Sequence, residues 1–185
     1  MADGPRVSAI VIFLDEERFL EEAIDSIRSQ TFRDWELLLV DDGSSDGSPE
    51  IARRHAGSDP ARIRCLHHPG QVNLGMSASR NLGLAASVGE FVAFLDADDV
   101  WLPSRLERGI SLLDADPHAA MTYGKTLYWS SWGHGTGEDR LQSHGFPAET
   151  TIEPPELLCM YLEGRAALPC MGSLTVRRQI GRAHV

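Results

Sequence analysis

Blocks of apolar residues in this chain alternate with segments in which apolar residues recur every three or four positions. The apolar blocks are rich in β-branched and large aliphatic residues, and such runs are typical of strands buried on both faces of a parallel sheet. They cover Val7–Leu14, Glu36–Val40, Ile63–His67 and Glu90–Leu95. We therefore predict a strand at each of these places.

The segments between these strands have the spacing of amphipathic helices. Apolar residues recur at helical spacing over Phe19–Ile27, and a second helix is expected to begin near Pro49, after a polar turn. A third helix, built of small residues, is predicted over Ser77–Ala86, and a fourth over Pro103–Leu113. Strands and helices that alternate with short connections predict right-handed βαβ units, and hence an α/β fold with a mostly parallel central sheet.

After Pro117 the alternation becomes irregular. We predict a further strand over Met121–Trp129, a short helix over Pro155–Glu163 and a last strand over Ser173–Val176. The intervening stretch, Ser130–Pro147, is rich in Gly, Ser and His. We interpret it as a long surface loop, a kind of segment that often carries function.

Two tryptophans and two histidines lie in or beside that loop. Trp129 and Trp132 are expected to pack the loop onto the domain, with an apolar platform for a bound sugar as the alternative interpretation. His134 and His144 are expected to be exposed to solvent.

Length and charge restrict the classes of protein to consider. The chain has 185 residues, which suits one domain and hardly two. Asp and Glu number 27 against 17 Lys and Arg, a formal net charge of −10, so the surface repels phosphate backbones and nucleic acid is excluded as the main partner. No apolar run approaches the roughly 20 residues of a membrane helix, and the first residues lack a signal-peptide pattern. We expect a cytoplasmic protein.

The cysteines point to the same compartment. Cys65, Cys159 and Cys170 are widely spaced and odd in number. This favours free thiols in a reducing compartment over a disulfide framework or a zinc site. We expect all three to serve as small core hydrophobic residues.

Acidic residues cluster where two of the predicted strands end. Asp41 and Asp42 follow the second strand, and Asp96, Asp98 and Asp99 follow the fourth. Ligands of open parallel sheets bind beyond the carboxyl ends of the strands. Residues two apart in an extended segment share one face, so Asp96 and Asp98 are predicted to converge on one hard cation, Mg²⁺ or Mn²⁺.

A basic residue is available opposite these carboxylates. Arg80 lies in the small-residue segment Asn73–Gly83, and a guanidinium binds diphosphate oxygens in bidentate fashion. A solvated surface charge is the alternative interpretation of Arg80. Gly75, Ala78 and Gly83 are expected to let this helix lie close to the sheet.

Together these motifs resemble those of family 2 glycosyltransferases with a GT-A fold. The motifs are VDDGSSDGS at Val40–Ser48, SRNLG at Ser79–Gly83 and FLDADD at Phe94–Asp99, in register over about residues 7–113. The resemblance implies a Rossmann-like three-layer sandwich. It also implies inverting transfer of a sugar from a nucleotide diphosphate, with a UDP-sugar favoured, to a hydroxyl of a glycan, lipid or small-molecule acceptor.

The resemblance also implies roles for particular residues. Asp41 and Asp42 would hydrogen-bond the base or ribose, and Arg80 would contact the diphosphate. Asp96 would lie near the donor ribose or sugar, and Asp98 would ligate the bridging Mg²⁺ or Mn²⁺, with Asp96 as the second metal candidate. The complete set of implied donor-binding residues is Ile12, Phe13, Leu14, Glu16, Asp41, Asp42, Arg80, Asp96, Ala97 and Asp98.

Two departures from the family pattern affect what is expected. The first strand ends in Ile12–Asp15 instead of Pro-x-Tyr/Phe-Asn, so an aromatic that could stack on the base is displaced to Phe13 or missing. No Glu-Asp motif follows Ser173–Val176, where the family carries its catalytic base, so that base is unknown and expected beyond the C-terminus. Residues 180–185 back-translate naturally to a common sequencing-adapter stretch, and we interpret them as a non-native tail.

The resulting expectation is one GT-A domain over residues 1–179, with a nucleotide-binding half at about 7–113 and an acceptor-side segment at about 118–179. Its expected partners are a nucleotide-sugar donor and an acceptor. We expect no integral membrane segment, and peripheral contact with the inner face of the plasma membrane is left open. One alternative is a non-catalytic nucleotide-sugar binding module. The other is a sugar-nucleotide pyrophosphorylase, which the acidic, glycine-free Leu14–Glu17 disfavours because a triphosphate loop needs Gly, Arg and Lys.

Overall fold

The computed structural model describes residues 4–131 and 136–179. Alternating strands and helices occupy the first part of the chain, and shorter strands and one further helix occupy the second. The strands are β1 (Val7–Phe13), β2 (Trp35–Asp41), β3 (Ile63–His67), β4 (Phe91–Asp96), β5 (Met121–Tyr123), β6 (Leu127–Tyr128), β7 (Arg140–Leu141) and β8 (Leu174–Arg177). The α-helices are α1 (Leu20–Arg28), α2 (Ser48–Ser58), α3 (Met76–Ala86), α4 (Arg105–Ala115) and α5 (Glu156–Leu162).

The central sheet has six strands in the order β3-β2-β1-β4-β8-β5. The four strands β1 to β4 are parallel to one another, and β8 runs antiparallel to both β4 and β5. The chain moves outward from β1 to β3 and then crosses back to β4 on the other side of β1. This reversal of direction next to β1 is the place where open α/β sheets bind their ligands.

Two apolar layers cover the sheet, one on each face. On one face, Val11 and its alternate neighbours in β1 pack against α1, α2 and α4 through residues such as Ile24 and Leu106. On the other face, Ile10 and Ile12 pack against α3 through Leu84. The predicted three-layer α/β sandwich with a mostly parallel sheet is therefore confirmed.

The register brings the carboxyl ends of the parallel strands to one edge. Phe13 of β1 pairs with Asp41 of β2, and Ile12 of β1 pairs with Asp96 of β4. Both acidic motifs found in the sequence therefore leave the sheet at the same edge, on either side of β1.

The region after α4 differs from the sequence-based prediction in two ways. The single strand predicted over Met121–Trp129 is wrong, because the chain leaves the sheet after Tyr123 and only then forms β6. The predicted loop contains β7, which pairs antiparallel with β6 through Leu127 and Leu141. A two-residue strand gives too short a pattern to be recognised by alternation.

Two expectations about side-chain burial are also wrong. Cys65 and Cys159 are exposed, and Cys170 is half-buried, since β3 is an edge strand and Cys159 lies on the solvent side of α5. His144 is buried instead of exposed, and its Nε2 lies 2.7 Å from the carbonyl oxygen of Gly124. Trp132, His134 and the tail at 180–185 lie outside the described residues.

Within the ranges 4–131 and 136–179, none of the helices has the length and apolarity needed to span a bilayer.

Candidate functional site

Two loops at the carboxyl edge of the sheet hold each other through reciprocal hydrogen bonds. The carboxylate of Asp15, after β1, accepts from the N–H of Ser45 at 2.7 Å, and that of Asp46 accepts from the N–H of Glu17 at 2.9 Å. Asp15 adopts φ +55°, a left-handed conformation that Asp tolerates better than most residues. Ser48 Oγ accepts from the N–H of Glu16 at 2.8 Å. The β1–α1 and β2–α2 loops therefore form one rigid rim.

The residues predicted at the end of β1 face different environments. Ile12 and Phe13 are buried, so the aromatic ring of Phe13 presents no free face to solvent. Leu14 is exposed, and Glu16 is half-buried in the loop before α1. The carbonyl of Phe13 accepts from the N–H of Asp42 at 2.9 Å, which joins the ends of β1 and β2.

Both aspartates of the β2 motif are used inside the protein. Asp41 Oδ1 accepts from the N–H of Ser44 at 2.8 Å, which closes the turn that follows β2. Asp42 is 4% exposed, and its carboxylate accepts from the N–H groups of Leu74 at 2.9 Å and Gly75 at 3.0 Å. Asp42 therefore fixes the segment that leads into α3.

Close backbone contact strengthens this link between the β2 and β3 loops. Gly43 has φ +91°, and a Cβ placed on it would lie 2.8 Å from the nitrogen of Asn73 and 2.9 Å from the carbonyl oxygen of Gln71. Only glycine combines that dihedral angle with so close an approach of backbone to backbone.

The structure places Arg80 beside the acidic edge of the sheet, where it pairs with a carboxylate. Arg80 on α3 donates from Nη2 to Asp96 Oδ1 at the end of β4, at 2.6 Å. The Arg80 side chain is 19% exposed, and its Nε is buried without a hydrogen-bond partner among the described residues. Gly83 explains how α3 approaches so closely, because a Cβ there would lie 2.6 Å from Ile10 Cγ2. The expectation that Gly83 lets α3 lie close to the sheet is confirmed. A Cβ on Gly75 would meet nothing within 4 Å, and what distinguishes Gly75 is its φ of +88°, which favours glycine.

The Asp-x-Asp motif is a turn and not an extended segment. The N–H of Asp99 donates to the carbonyl of Asp96 at 3.0 Å, so β4 ends at Asp96 and the chain reverses. The argument that Asp96 and Asp98 share one face of an extended strand is therefore wrong. Asp96 is half-buried beside Arg80, Ala97 is buried and Asp98 is exposed at the tip of the turn.

Electrostatics link this turn to the β1 loop. Burial, together with the smaller effect of the charges of Asp98 and Asp96, raises the pKa of Asp99 to about 6. Burial also raises the pKa of Glu16, and Asp98 is the strongest of the carboxylates that add to this shift. The Asp98 carboxylate thus lies close enough to repel the carboxylates of both loops.

Such a cluster of oxygen ligands fits a divalent cation. Asp98 is free to bind because it is exposed, whereas one oxygen of Asp96 already accepts from Arg80. Hard cations such as Mg²⁺ and Mn²⁺ take carboxylate oxygens and relieve the repulsion that raises these pKa values. The residues present therefore fit the metal that the sequence predicts.

A second group of potential ligands lies on the outer side of α1 and α2. Glu21, Asp25 and His55 offer ligand atoms within 4.8 Å of one another. Arg54 already pairs with Glu21, and Arg28 lies 3.1 Å from Nδ1 of His55. We interpret this group as an ion-pair network that joins the two helices.

Sequence reasoning missed two features of the site. His68 is buried beside Asp42 and Ser79, a contact between distant positions that no local pattern signals. Gly172, before β8, packs against the turn, since a Cβ on it would lie 3.2 Å from Asp99 Oδ2. Trp101 donates from Nε1 to the carbonyl of Gly172 at 2.7 Å and so holds this segment against β4.

The fold and this edge define a doubly wound α/β domain with an acidic ligand site and one arginine on the crossover helix. The chain belongs to glycosyl transferase family 2, whose family model matches residues 8–170.

Relatives and solved structures agree with this assignment. Glycosyltransferase EpsE of Bacillus subtilis is 35% identical over 133 residues, which are 72% of this chain and 47% of EpsE. The mannosyltransferase PcManGT of Pyrobaculum calidifontis, in complex with GDP-Man and Mn²⁺, is 29% identical with a TM-score of 0.59, over 68% of this chain and 37% of that one.

A second solved structure shows the same fold over nearly the whole chain. S. aureus TarS 1–349, in complex with UDP-GlcNAc, is 22% identical with a TM-score of 0.72, over 97% of this chain and 47% of that one. The chain thus spans less than half the length of each of these three proteins.

Proposed function

We propose that this protein binds a nucleotide-diphosphate sugar at the carboxyl edge of its sheet and belongs to an enzyme that transfers the sugar to an acceptor hydroxyl. The Arg80–Asp96 pair carries the proposal. It places one guanidinium, with a buried and unpartnered Nε, beside a group of carboxylates at the point where the strand order reverses. Family membership and the GDP-Man complex of PcManGT support the same donor class.

Arg80 is the group that we assign to the diphosphate. Its side chain is 19% exposed, and beyond the bond from Nη2 to Asp96 the guanidinium has N–H donors left for phosphate oxygens. Charge-assisted hydrogen bonds from guanidinium to phosphate are about twice as strong as neutral ones. Because Asp96 already holds Nη2, the guanidinium is oriented before the donor arrives.

We assign the nucleoside to the rim formed by the β1–α1 and β2–α2 loops. The internal hydrogen bonds of Asp41 and Asp42 hold these two side chains in place. The lone pairs of their carboxylate oxygens that these bonds do not use are assigned to the base or ribose. The buried ring of Phe13 cannot stack on a base as it lies, so recognition of the base falls to polar groups. A UDP-sugar is the favoured donor.

We assign Asp98, with Asp96, to Mg²⁺ or Mn²⁺. When bound, such an ion would neutralise charge on the leaving diphosphate. The exposure of Asp98 at the tip of its turn suits a ligand shared between protein and substrate. The turn itself is held by the hydrogen bond between Asp99 and Asp96 and by Gly172 on its far side.

Inverting transfer needs a carboxylate that accepts the proton of the attacking hydroxyl. We propose this stereochemistry and assign no described residue as that base. The acceptor would approach from the side of β8 and β5, because the nucleoside rim occupies the opposite side of β4. A glycan, a lipid headgroup or a small polyol would each present the hydroxyl required.

Calorimetric titration tests the proposal directly. UDP, GDP, dTDP and CMP are titrated into the folded protein with and without Mn²⁺. We expect one diphosphate to bind in a Mn²⁺-dependent manner. A protein shown to be folded by circular dichroism that binds none of the four nucleotides would contradict the donor site.

A further inference from the structure

A buried histidine lies at the point where the loops after β2 and β3 meet the first turn of α3. His68 follows β3 directly and is 5% exposed. Its Nε2 lies 2.9 Å from Ser79 Oγ and 3.5 Å from Asp42 Oδ1. Ser79 is completely buried, and Asp42 is 4% exposed. The three side chains thus form a polar network with almost no access to solvent.

The surroundings determine which way the hydrogen bond runs. A lone pair on Nε2 would face the negative charge of Asp42, so the tautomer with the proton on Nε2 is favoured. Nε2 then donates to Ser79 Oγ, with Asp42 as a longer second acceptor. Asp42 is itself held by the N–H groups of Leu74 and Gly75.

Ser79 connects this network to the ligand site, because it precedes Arg80 in the first turns of α3. The N–H of Ser79 donates to the carbonyl of Gly75 at 3.1 Å, so this turn starts from the segment that Asp42 fixes. Gly75, at the N-terminus of α3, has no side chain to cap the helix, and among the described residues no side-chain cap bond is present there. The hydrogen bond from His68 therefore provides a side-chain anchor for the turn that carries Arg80.

We infer that His68 is a positioning residue for the donor site, acting through Ser79 on the guanidinium of Arg80. The inference rests on the proposed function, since it assigns Arg80 to the diphosphate. His68 itself touches no donor atom. Its removal should weaken diphosphate binding and leave nucleoside binding nearly unchanged, because Asp42 loses only a 3.5 Å contact with His68 and keeps its hydrogen bonds from Leu74 and Gly75.

The first test compares the affinities for UDP and for uridine in wild type, His68→Ala and His68→Gln. They are measured by ligand-observed NMR in a buffer that contains Mg²⁺ and no Mn²⁺. We expect His68→Ala to lower UDP affinity roughly tenfold, an effect of one lost buried hydrogen bond, and uridine affinity less than about twofold. His68→Gln should restore most of the UDP affinity, because its amide places an N–H near the position of Nε2. Equal losses for UDP and uridine would overturn the inference.

The second test needs no ligand and separates the two proposals. Amide hydrogen exchange is followed by NMR in the free protein, with the exposed His118→Ala as the matched control. We expect the amides of Ser79 and Arg80 to exchange at least about tenfold faster in His68→Ala, while those of α1 keep their wild-type rates. Unchanged exchange at Ser79 and Arg80 would overturn the positioning role, whereas folded wild-type protein that binds none of UDP, GDP, dTDP and CMP would overturn the proposed function.

Discussion

Arg80 on α3 and Asp96 at the end of β4 are joined by a 2.6 Å hydrogen bond between Nη2 and Oδ1. The two residues lie in adjacent layers of the sandwich, one on a crossover helix and one on the sheet. Their pairing orients the guanidinium toward the carboxyl edge and leaves Nε unpartnered. A cation beside several carboxylates makes this edge suitable for both a diphosphate and a metal ion.

The first prediction concerns the geometry of the guanidinium. Arg80→Lys should lower the affinity for the bound diphosphate about tenfold, because an ammonium cannot contact Asp96 and a phosphate in the same planar, bidentate way. Calorimetric titration of UDP measures the effect. The exposed Arg108→Lys on α4 is the control and should bind like wild type. Wild-type affinity in Arg80→Lys would exclude a bidentate role.

The second prediction concerns the metal. Asp98→Asn should abolish the dependence of UDP binding on Mn²⁺, because an amide oxygen is a weaker ligand and carries no charge. The exposed Asp34→Asn, at the amino edge of the sheet, makes the same change away from the site. If Mn²⁺ still strengthens UDP binding in Asp98→Asn, the metal is held elsewhere.

The third prediction concerns pH and Asp99. Its pKa is about 6 in the folded protein against 3.8 ordinarily, so folding favours the protonated carboxyl. The stability from this group is fully present below about pH 4 and is lost as the pH rises through about 6. Asp99→Asn should therefore match wild type near pH 4 and be more stable by roughly 2 kcal/mol at pH 7.

Urea unfolding at the two pH values measures this difference in the free energy of unfolding. Mn²⁺ provides a further check, since a bound cation favours the ionised carboxylate and should narrow the gap between wild type and Asp99→Asn at pH 7. A gap that is equal at both pH values would show that Asp99 does not titrate in this window.

The fourth prediction concerns the contact between the β2 and β3 loops. Gly43→Ala should lower the free energy of unfolding by about 2–3 kcal/mol, because its Cβ would clash with the backbone of 71–73 and its φ of +91° is unfavourable for alanine. Gly57→Ala in α2 is the matched control, since a Cβ there meets nothing within 4 Å. It should be neutral or stabilise by up to roughly 1 kcal/mol.

Much of the fold could be predicted from local pattern. The boundaries of β1 to β4 and of α1, α3 and α4, and the start of α2, lie within a few residues of those predicted, because most of these elements have an apolar run or a clear helical repeat. The predicted α5 and β8 also match closely, and the prediction fails only between Tyr123 and α5, where β6 and β7 have two residues each. Strands so short are stabilised by their pairing and not by their own sequence pattern.

The candidate site was predictable to a similar degree. The residue types of the site, and its position at the carboxyl edge of the sheet, could be predicted. The basis was the Asp residues directly after two predicted strands and the one Arg in a helix of small residues. The arrangement inside the site did not follow. The turn at Asp96–Asp99 and the internal use of Asp42 depend on hydrogen bonds to backbone groups far away in the chain.

The sequence by itself determined the α/β class, the order of strands and helices along the chain, and the chemical groups at the ends of the parallel strands. It could do so because hydrophobic periodicity and residue type are local properties. Only the tertiary structure decided that Arg80 donates a hydrogen bond to Asp96, that His68 contacts Ser79, and that Asp98 is exposed at the tip of a turn. These relationships arise when the crossover after β3 brings α3 back over β1 and β2. Packing across that crossover joins residues that no local pattern connects.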